Sequence, residues 1–252
     1  MEPKHATVLI VDDEATLLDI FREWLEGENL RVLTAGDGAA ALRVLDNQHA
    51  DAIITDVRMP VMDGILLLKN LATLGVGMQG IHTPKMLLIS GSTDLEPREA
   101  YNLGVEALLP KPIKREQFVD AVRRALRTPE EKWSVPSPPS GLQWHVALPS
   151  PAVAIEQGRI AFGRGGFCVR CTSQFPGGPV RFDLEFEAET VNFAGHGLIR
   201  WADPDEHVLG VEISYLDVSC REWAIRLLTL YASSSYIPRA PLSAVPRIRI
   251  AR

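Results

Sequence analysis

Asp56 closes the apolar run Ala52-Ile53-Ile54-Thr55 and opens the loop Val57-Arg58-Met59-Pro60-Val61-Met62-Asp63-Gly64, which presents its carboxylate rather than packing it. Three other sites have polar groups at the same kind of place. Asp12 and Asp13 follow Thr7-Val8-Leu9-Ile10-Val11, Ser90 follows Met86-Leu87-Leu88-Ile89, and Lys111 follows Ala107-Leu108-Leu109-Pro110. In a parallel sheet these endings share one rim, where open α/β sheets bind their ligands, so the spacing predicts a single site. Three adjacent carboxylates repel one another unless a cation lies among them. Magnesium suits Asp12, Asp13 and Asp56, because it takes oxygen ligands, keeps several waters and pairs carboxylates with phosphate oxygens. A phosphoryl group held there is open to attack by Asp56, giving an aspartyl phosphate. Lys111 would stabilise the equatorial oxygens in the transition state, and the Ser90 hydroxyl would hydrogen-bond the new phosphate.

The elements that must position these groups alternate between strand runs and amphipathic helices. Leu17, Leu18, Ile20, Phe21, Trp24 and Leu25 mark the first helix, and Phe118, Val122, Ala125 and Leu126 the last. The repetition predicts a doubly wound, five-stranded parallel α/β domain over residues 1–127, with helices on both faces. The glycine-rich stretch over 75–84 reads as a connection. Residues 128–141 hold Pro129, Pro136, Pro138 and Pro139 with several serines and read as a semi-extended linker. Trp133 and Trp144 flank its proline-rich part and read as packing onto a domain edge. In the second half Val180, Phe182, Leu184 and Phe186 alternate with Arg181, Asp183, Glu185 and Glu187, a half-buried antiparallel strand. Further strands are expected near Trp201 and Val211, then a helix with Ser219 and Glu222 spaced as a capping box. A small antiparallel β-barrel with one flanking helix over 142–235 follows, and a basic tail over 236–252 carries Arg239, Arg247, Arg249 and Arg252.

The length of 252 residues fits two domains. The first half carries most of the formal charge of −6 and the second is close to neutral. Neither shows the basic patch or helix-turn-helix pattern of a DNA-binding unit, so no nucleic-acid partner is expected. No apolar stretch approaches membrane-spanning length. The amino terminus runs straight into a strand without a charged leader and apolar core, so a cytoplasmic location is expected. Cys168 and Cys171 form a CxxC on a strand, where residues three apart face opposite ways, and with Cys220 they leave an odd count that favours neither disulfides nor zinc.

Val11-Asp12-Asp13-Glu14, Asp56-Val57-Arg58-Met59-Pro60 with Asp63-Gly64, Ser90-Gly91 and Lys111-Pro112 together resemble the receiver domain of two-component response regulators, over roughly residues 5 to 127. The resemblance implies a flavodoxin-like fold in which Asp56 accepts phosphate from a histidine kinase or phosphotransfer protein. It also implies that Asp12, Asp13, Asp56 and the Arg58 backbone carbonyl serve magnesium, that Ser90 is the switch hydroxyl, and that Lys111 contacts the phosphate. Leu108 departs from the pattern, since many receivers carry a switching aromatic three residues before the lysine.

Gly165-Gly166-Phe167, Gly197-Leu198-Ile199-Arg200-Trp201 and Gly210-Val211-Glu212-Ile213 resemble a PilZ domain. PilZ domains typically bind cyclic di-GMP through RxxxR and DxSxxG motifs. Here Ala161 and Gly163 stand where the acid and serine belong, and no arginine occurs from Thr128 to Gln157. Arg159, Arg164 and the tail arginines are the remaining candidates for such a ligand. The expected protein is a response regulator, not a metabolic enzyme, whose degenerate PilZ-like domain contacts an output protein without binding cyclic di-GMP, in motility or other surface behaviour. The alternatives are a dual-input receptor that reads cyclic di-GMP through unusual arginines, and a DNA-binding transcriptional regulator.

Overall fold

The computed structural model describes residues 6–75, 84–91, 95–135, 142–170, 177–187 and 189–239. Most of the glycine-rich connection over 75–84, the linker residues Pro136, Pro138 and Pro139, Cys171, and the tail arginines Arg247, Arg249 and Arg252 lie outside the described residues. The chain divides into two units, Met1–Glu96 with Val105–Arg127, and Pro97–Gly104 with Thr128–Arg252.

In the first unit β1 (Thr7–Val11), α1 (Ala15–Glu26), β2 (Arg31–Ala35), α2 (Gly38–Leu45), β3 (Ala52–Asp56), α3 (Gly64–Gly75) and β4 (Lys85–Ser90) follow in order. α4 (Pro97–Asn102) comes next in the chain but groups with the second unit, and β5 (Val105–Pro110) and α5 (Arg115–Leu126) complete the first. The sheet is wholly parallel in the order β2-β1-β3-β4-β5, so the order reverses beside β1 and β3, a flavodoxin-like arrangement. Its strands read as near-continuous apolar runs because both faces are covered. Val8, Ile10, Ile54, Leu87 and Ile89 pack with Phe21 and Leu25 of α1 and Phe118 and Val122 of α5. Phe21 stacks on Phe118 at 4.6 Å and Trp24 meets Phe118 edge-on, which joins α1 to α5. The alternate residues Leu9, Ile53 and Leu88 are equally buried, and α2 packs on β1 and β2 and against α3.

The second unit contains α6 (Pro129–Lys132), β6 (Gln143–Leu148), α7 (Pro151–Glu156), β7 (Ile160–Phe162), β8 (Gly166–Arg170), β9 (Gly178–Phe186), β10 (Phe193–Asp203), β11 (Val208–Leu216) and α8 (Arg221–Tyr231). Phe162, Phe167, Phe182 and Phe193 form its centre, with ring centroids 5.2–6.5 Å apart. Trp223 of α8 reaches Phe186 and Phe193, closing one side.

Three expectations for this half require correction. The sheet is not a wholly antiparallel barrel but a mixed half-barrel, ordered β6-β9-β10-β11-β8-β7, in which β6 runs parallel to β9. Parallel neighbours need a long crossover, and α7, β7 and β8 all lie between β6 and β9, which makes that pairing possible. The segment from 128 is not simply extended. Thr128 and Glu131 form a reciprocal capping box on α6, with Pro129 in the first turn, and Trp133 is buried in the second core, its carbonyl accepting from Leu216 N at 3.0 Å. The capping box expected of Ser219 and Glu222 does not form. α8 begins at Arg221 behind Cys220, so Ser219 lies one residue too early, and the Cys220 thiol donates to Ala194 O.

Candidate functional site

The carboxyl ends of β1 and β3 bring Asp12, Asp13 and Asp56 together, and one oxygen from each lies within 4.8 Å of the others. Lys111, just past β5, donates from Nζ to Asp56 Oδ2 at 2.8 Å. Asp56 is sunk rather than presented, at 5 % exposure, because the loop after it folds back over the strand end. Val57 N donates to Ile89 O, which extends the β3–β4 ladder one residue past Asp56, and Gly64 N donates to Val57 O. A Cβ on Gly64 would lie 2.2 Å from Asp56 O, so only glycine lets α3 start this close to the acidic residue. Gly38 has a similar role, since its Cβ would meet Met62 Cγ at 2.7 Å. Val61, at the loop tip, holds φ 65°, a costly conformation for a β-branched residue.

Asp12 is nearly inaccessible. Its Oδ1 accepts from Glu14 N at 2.9 Å, while Oδ2 has no hydrogen-bond partner in the protein. Burial holds its pKa above the ordinary carboxylate range, reinforced by Asp56 and Asp13 and opposed by the Glu14 amide and Lys111. Burial alone would lower Lys111, but its hydrogen bond to Asp56 and the charges of Asp56, Asp12 and Glu14 outweigh it and the ammonium is held above its usual range. A buried carboxylate oxygen without a donor, beside two further carboxylates, is a site that a hard divalent cation would complete.

Ser90 ends β4, and its hydroxyl donates to Gly91 O at 2.8 Å. Lys111 N donates to Ser90 O, tying the ends of β4 and β5, and the Lys111–Pro112 peptide bond is cis. Leu108 is half-buried on β5, in register with Leu88. Arg58 is exposed and, with Val57, Met59, Pro60, Asp63 and Ile65, lines an open depression beside the loop. The sequence reading missed the Glu14 amide that fixes Asp12 and the steric role of Gly64, although the Asp63-Gly64 pair was visible.

Arg159 and Arg164, the arginines proposed for a nucleotide, are held on backbone carbonyls. Arg159 donates to Ala147 O at 3.2 Å, and Arg164 donates to Ser234 O and Gly104 O at 3.0 and 3.1 Å. Arg239 pairs with Glu99 at 2.8 Å, and Tyr236 and Ile237 before it are buried, so the start of the expected tail is packed. Cys168 is free and buried, with its thiol pushed up to about 12 by burial.

Residues 8–123 match the family model of the response regulator receiver domain. The chain is 35% identical over 127 residues to the transcriptional regulatory protein CpxR of Klebsiella pneumoniae, covering 50% of this chain and 51% of that protein. It is 32% identical over 137 residues to the transcriptional regulatory protein GlrR of Escherichia coli, covering 53% and 30%. It thus spans about half or less of the length of these relatives. The chemotaxis response regulator CheY4 of Vibrio cholerae aligns with 49% of the chain and 100% of its own, at 28% identity and a TM-score of 0.43. Among the described residues no helix is long and apolar enough to cross a membrane.

Proposed function

We propose that the chain is a response regulator in which Asp56 accepts a phosphoryl group from a phosphohistidine of a kinase or phosphotransfer protein, and that the second unit converts that event into contact with an output protein. The observation that carries this reading is the Asp56 carboxylate held at 2.8 Å by Lys111 beside the unpartnered oxygen of Asp12. In the transfer a carboxylate oxygen of Asp56 forms a bond to phosphorus as the phosphorus–nitrogen bond breaks and the imidazole leaves. Lys111, already beside Asp56, passes its hydrogen bond to the phosphoryl oxygens as their charge develops. Ser90 turns its proton from Gly91 O to the phosphate. Asp12, Asp13, Asp56 and the Arg58 carbonyl are the groups that would hold magnesium, which when bound neutralises phosphoryl charge. The only catalysis assigned to the protein is this transfer and the later hydrolysis of the aspartyl phosphate, in which water takes the phosphoryl group as inorganic phosphate and frees the Asp56 carboxylate.

The half-barrel, with its close-packed glycines, supports a PilZ-like assignment for the second unit, in an interaction role that does not engage cyclic di-GMP. Arg159 and Arg164 already serve backbone carbonyls, so a nucleotide would have to replace existing bonds. Contacts in surface behaviour such as motility, in a cytoplasmic setting, rest on that resemblance. A DNA-binding reading draws on the names of CpxR and GlrR, but their match covers half of this chain and the second half is close to neutral in charge. Incubation with acetyl phosphate and magnesium tests the acceptor. The wild-type chain should gain one phosphoryl group and Asp56→Asn none, and equal labelling of both would dismiss Asp56.

A further inference from the structure

β6 is an edge strand of the second sheet and runs parallel to β9, with His145 in register with Asp183 and Ala147 with Glu185. Along β9 the buried Phe182, Leu184 and Phe186 alternate with Asp183 and Glu185, so both carboxylates stand on the face turned away from the core, where His145 is also exposed. The backbone register thus sets an imidazole between two carboxylates. His145 Nδ1 lies 3.1 Å from Asp183 Oδ2, and its Nε2 lies 3.3 Å from Glu185 Oε2. Asn192 Nδ2 donates to Asp183 Oδ1 at 2.9 Å and so fixes that carboxylate by its other oxygen. The neighbouring cations are engaged elsewhere, since Arg181 gives both terminal nitrogens to Asp217 and Arg159 donates to Ala147 O.

A neutral imidazole carries one N–H and can donate to only one of these carboxylates. Whichever nitrogen holds the proton, the other turns a lone pair toward a carboxylate oxygen. The arrangement therefore calls for a cation at that second nitrogen, either another proton or a metal ion. Asp183, anchored by Asn192, is the better-fixed acceptor for Nδ1–H, which leaves Nε2 to act beside Glu185. A carboxylate that takes the far N–H of a histidine is the usual partner of a metal-bound ring, because it fixes the tautomer and makes the ligating nitrogen more basic. The spacing agrees. With zinc bonds of about 2.0–2.2 Å to imidazole nitrogen and carboxylate oxygen, a tetrahedral ion holds neighbouring ligands roughly 3.3 Å apart. The nitrogen donor also separates this place from the all-oxygen cluster of Asp12, Asp13 and Asp56, since imidazole suits zinc, copper and nickel whereas magnesium takes oxygen.

We propose that His145 Nε2 and Glu185 Oε2 bind a first-row divalent cation of the zinc class on the exposed face of the second sheet, with Asp183 holding the ring in place. Two protein donors leave the remaining positions to water, so the ion is exchangeable and open to a further ligand. Binding displaces any proton on Nε2, so affinity falls in acid. No part of the site depends on Asp56 accepting phosphate.

Calorimetric titration of zinc chloride into the metal-free full chain, with excess magnesium present to fill the acidic cluster, reads the affinity, and the ring resonances of His145 read the place. Zinc should move those resonances in the wild-type chain. His145→Ala and Glu185→Gln should each weaken zinc binding at least about tenfold. Asp183→Ala, which removes only the group behind the ring, should weaken it by about tenfold, the low end for such a partner. None of the three side chains lies in the core, so the variants should fold, and melting in chelator checks that they do. A zinc affinity unchanged in His145→Ala, or ring resonances that zinc leaves in place, would overturn the site and make His145 a protonated partner of its two carboxylates.

Discussion

Asp12 has the most to gain from a bound cation, because its buried Oδ2 faces two other carboxylates with no donor of its own. Replacing it by asparagine removes one charge from the cluster, which without metal relieves repulsion on the order of 1 kcal/mol. The expected outcome for Asp12→Asn is a higher melting temperature than wild type in chelator and little or no rise on adding magnesium, where wild type should gain stability by mass action. A wild type insensitive to magnesium would remove the metal role of this cluster. Gly64 tests the steric side of the same site. Gly64→Ala forces a Cβ toward Asp56 O and should cost about 2 kcal/mol, within the range for overpacking, while slowing phosphoryl uptake. Denaturant unfolding and labelling rates measure the two effects separately. The strand-end rule made the neighbourhood of Asp12, Asp13, Asp56 and Lys111 legible in the sequence, since each follows an apolar run in a parallel sheet. The sinking of Asp56 was not legible, because it depends on how a loop folds back, and that is set by Gly64 and the Val57–Ile89 hydrogen bond rather than by any period in the sequence.

Elements in the second unit were less readable than in the first, for identifiable reasons. Period-two alternation located β9 well, but alternation does not say which neighbour a strand takes, and the parallel partner β6 came as a surprise for that reason. The proline count over 128–141 outweighed Thr128-Pro129-Glu130-Glu131, a helix-start signal lying at its front. Trp133, expected to pack onto a domain edge, lies in the second core, so Trp133→Ala should cost about 3–5 kcal/mol on removal. A loss near zero in calorimetry would dismiss that packing. The β11–α8 junction carries a pH signature of its own. Arg181 of β9 donates to both oxygens of Asp217, at 2.7 and 2.6 Å. That pairing, against some burial, holds Asp217 below its ordinary value of 3.8. A depressed carboxylate contributes stability in full above its unfolded pKa and loses it as pH falls through the lower folded value. The stability gap between wild type and Asp217→Asn should therefore be about 1–2 kcal/mol near neutrality and should shrink below roughly pH 4 as Asp217 takes up a proton.

At the scale of the whole molecule, chain order and packing assign α4 differently. By order it sits between β4 and β5, and the sequence places a boundary after Arg127 that keeps it with the receiver elements. By packing it belongs with β10 and with Tyr236, Ile237 and Arg239, whose amides donate to Tyr101 O and Asn102 Oδ1. A cut at that boundary consequently tests what holds α4. The sheet of residues 1–127 has its own core, built from α1, α5 and the apolar strand residues, and should survive the cut. Its α4 would lose the Tyr236 and Ile237 donors and, at Arg98, the Trp201 face and the carboxylates of Asp203 and Glu206 together. Hydrogen exchange on the 1–127 fragment should then show protected strand amides beside fully exchanging ones over 97–104, while the full chain protects both. The complementary fragment 128–252 keeps the phenylalanine core but bares Trp201 and Tyr236, so it should be less stable than the same residues in the full chain and its tryptophan emission should shift to the red. If α4 stays protected in the isolated 1–127 fragment, its seat comes from the parallel sheet instead of from Tyr236, Ile237 and Trp201.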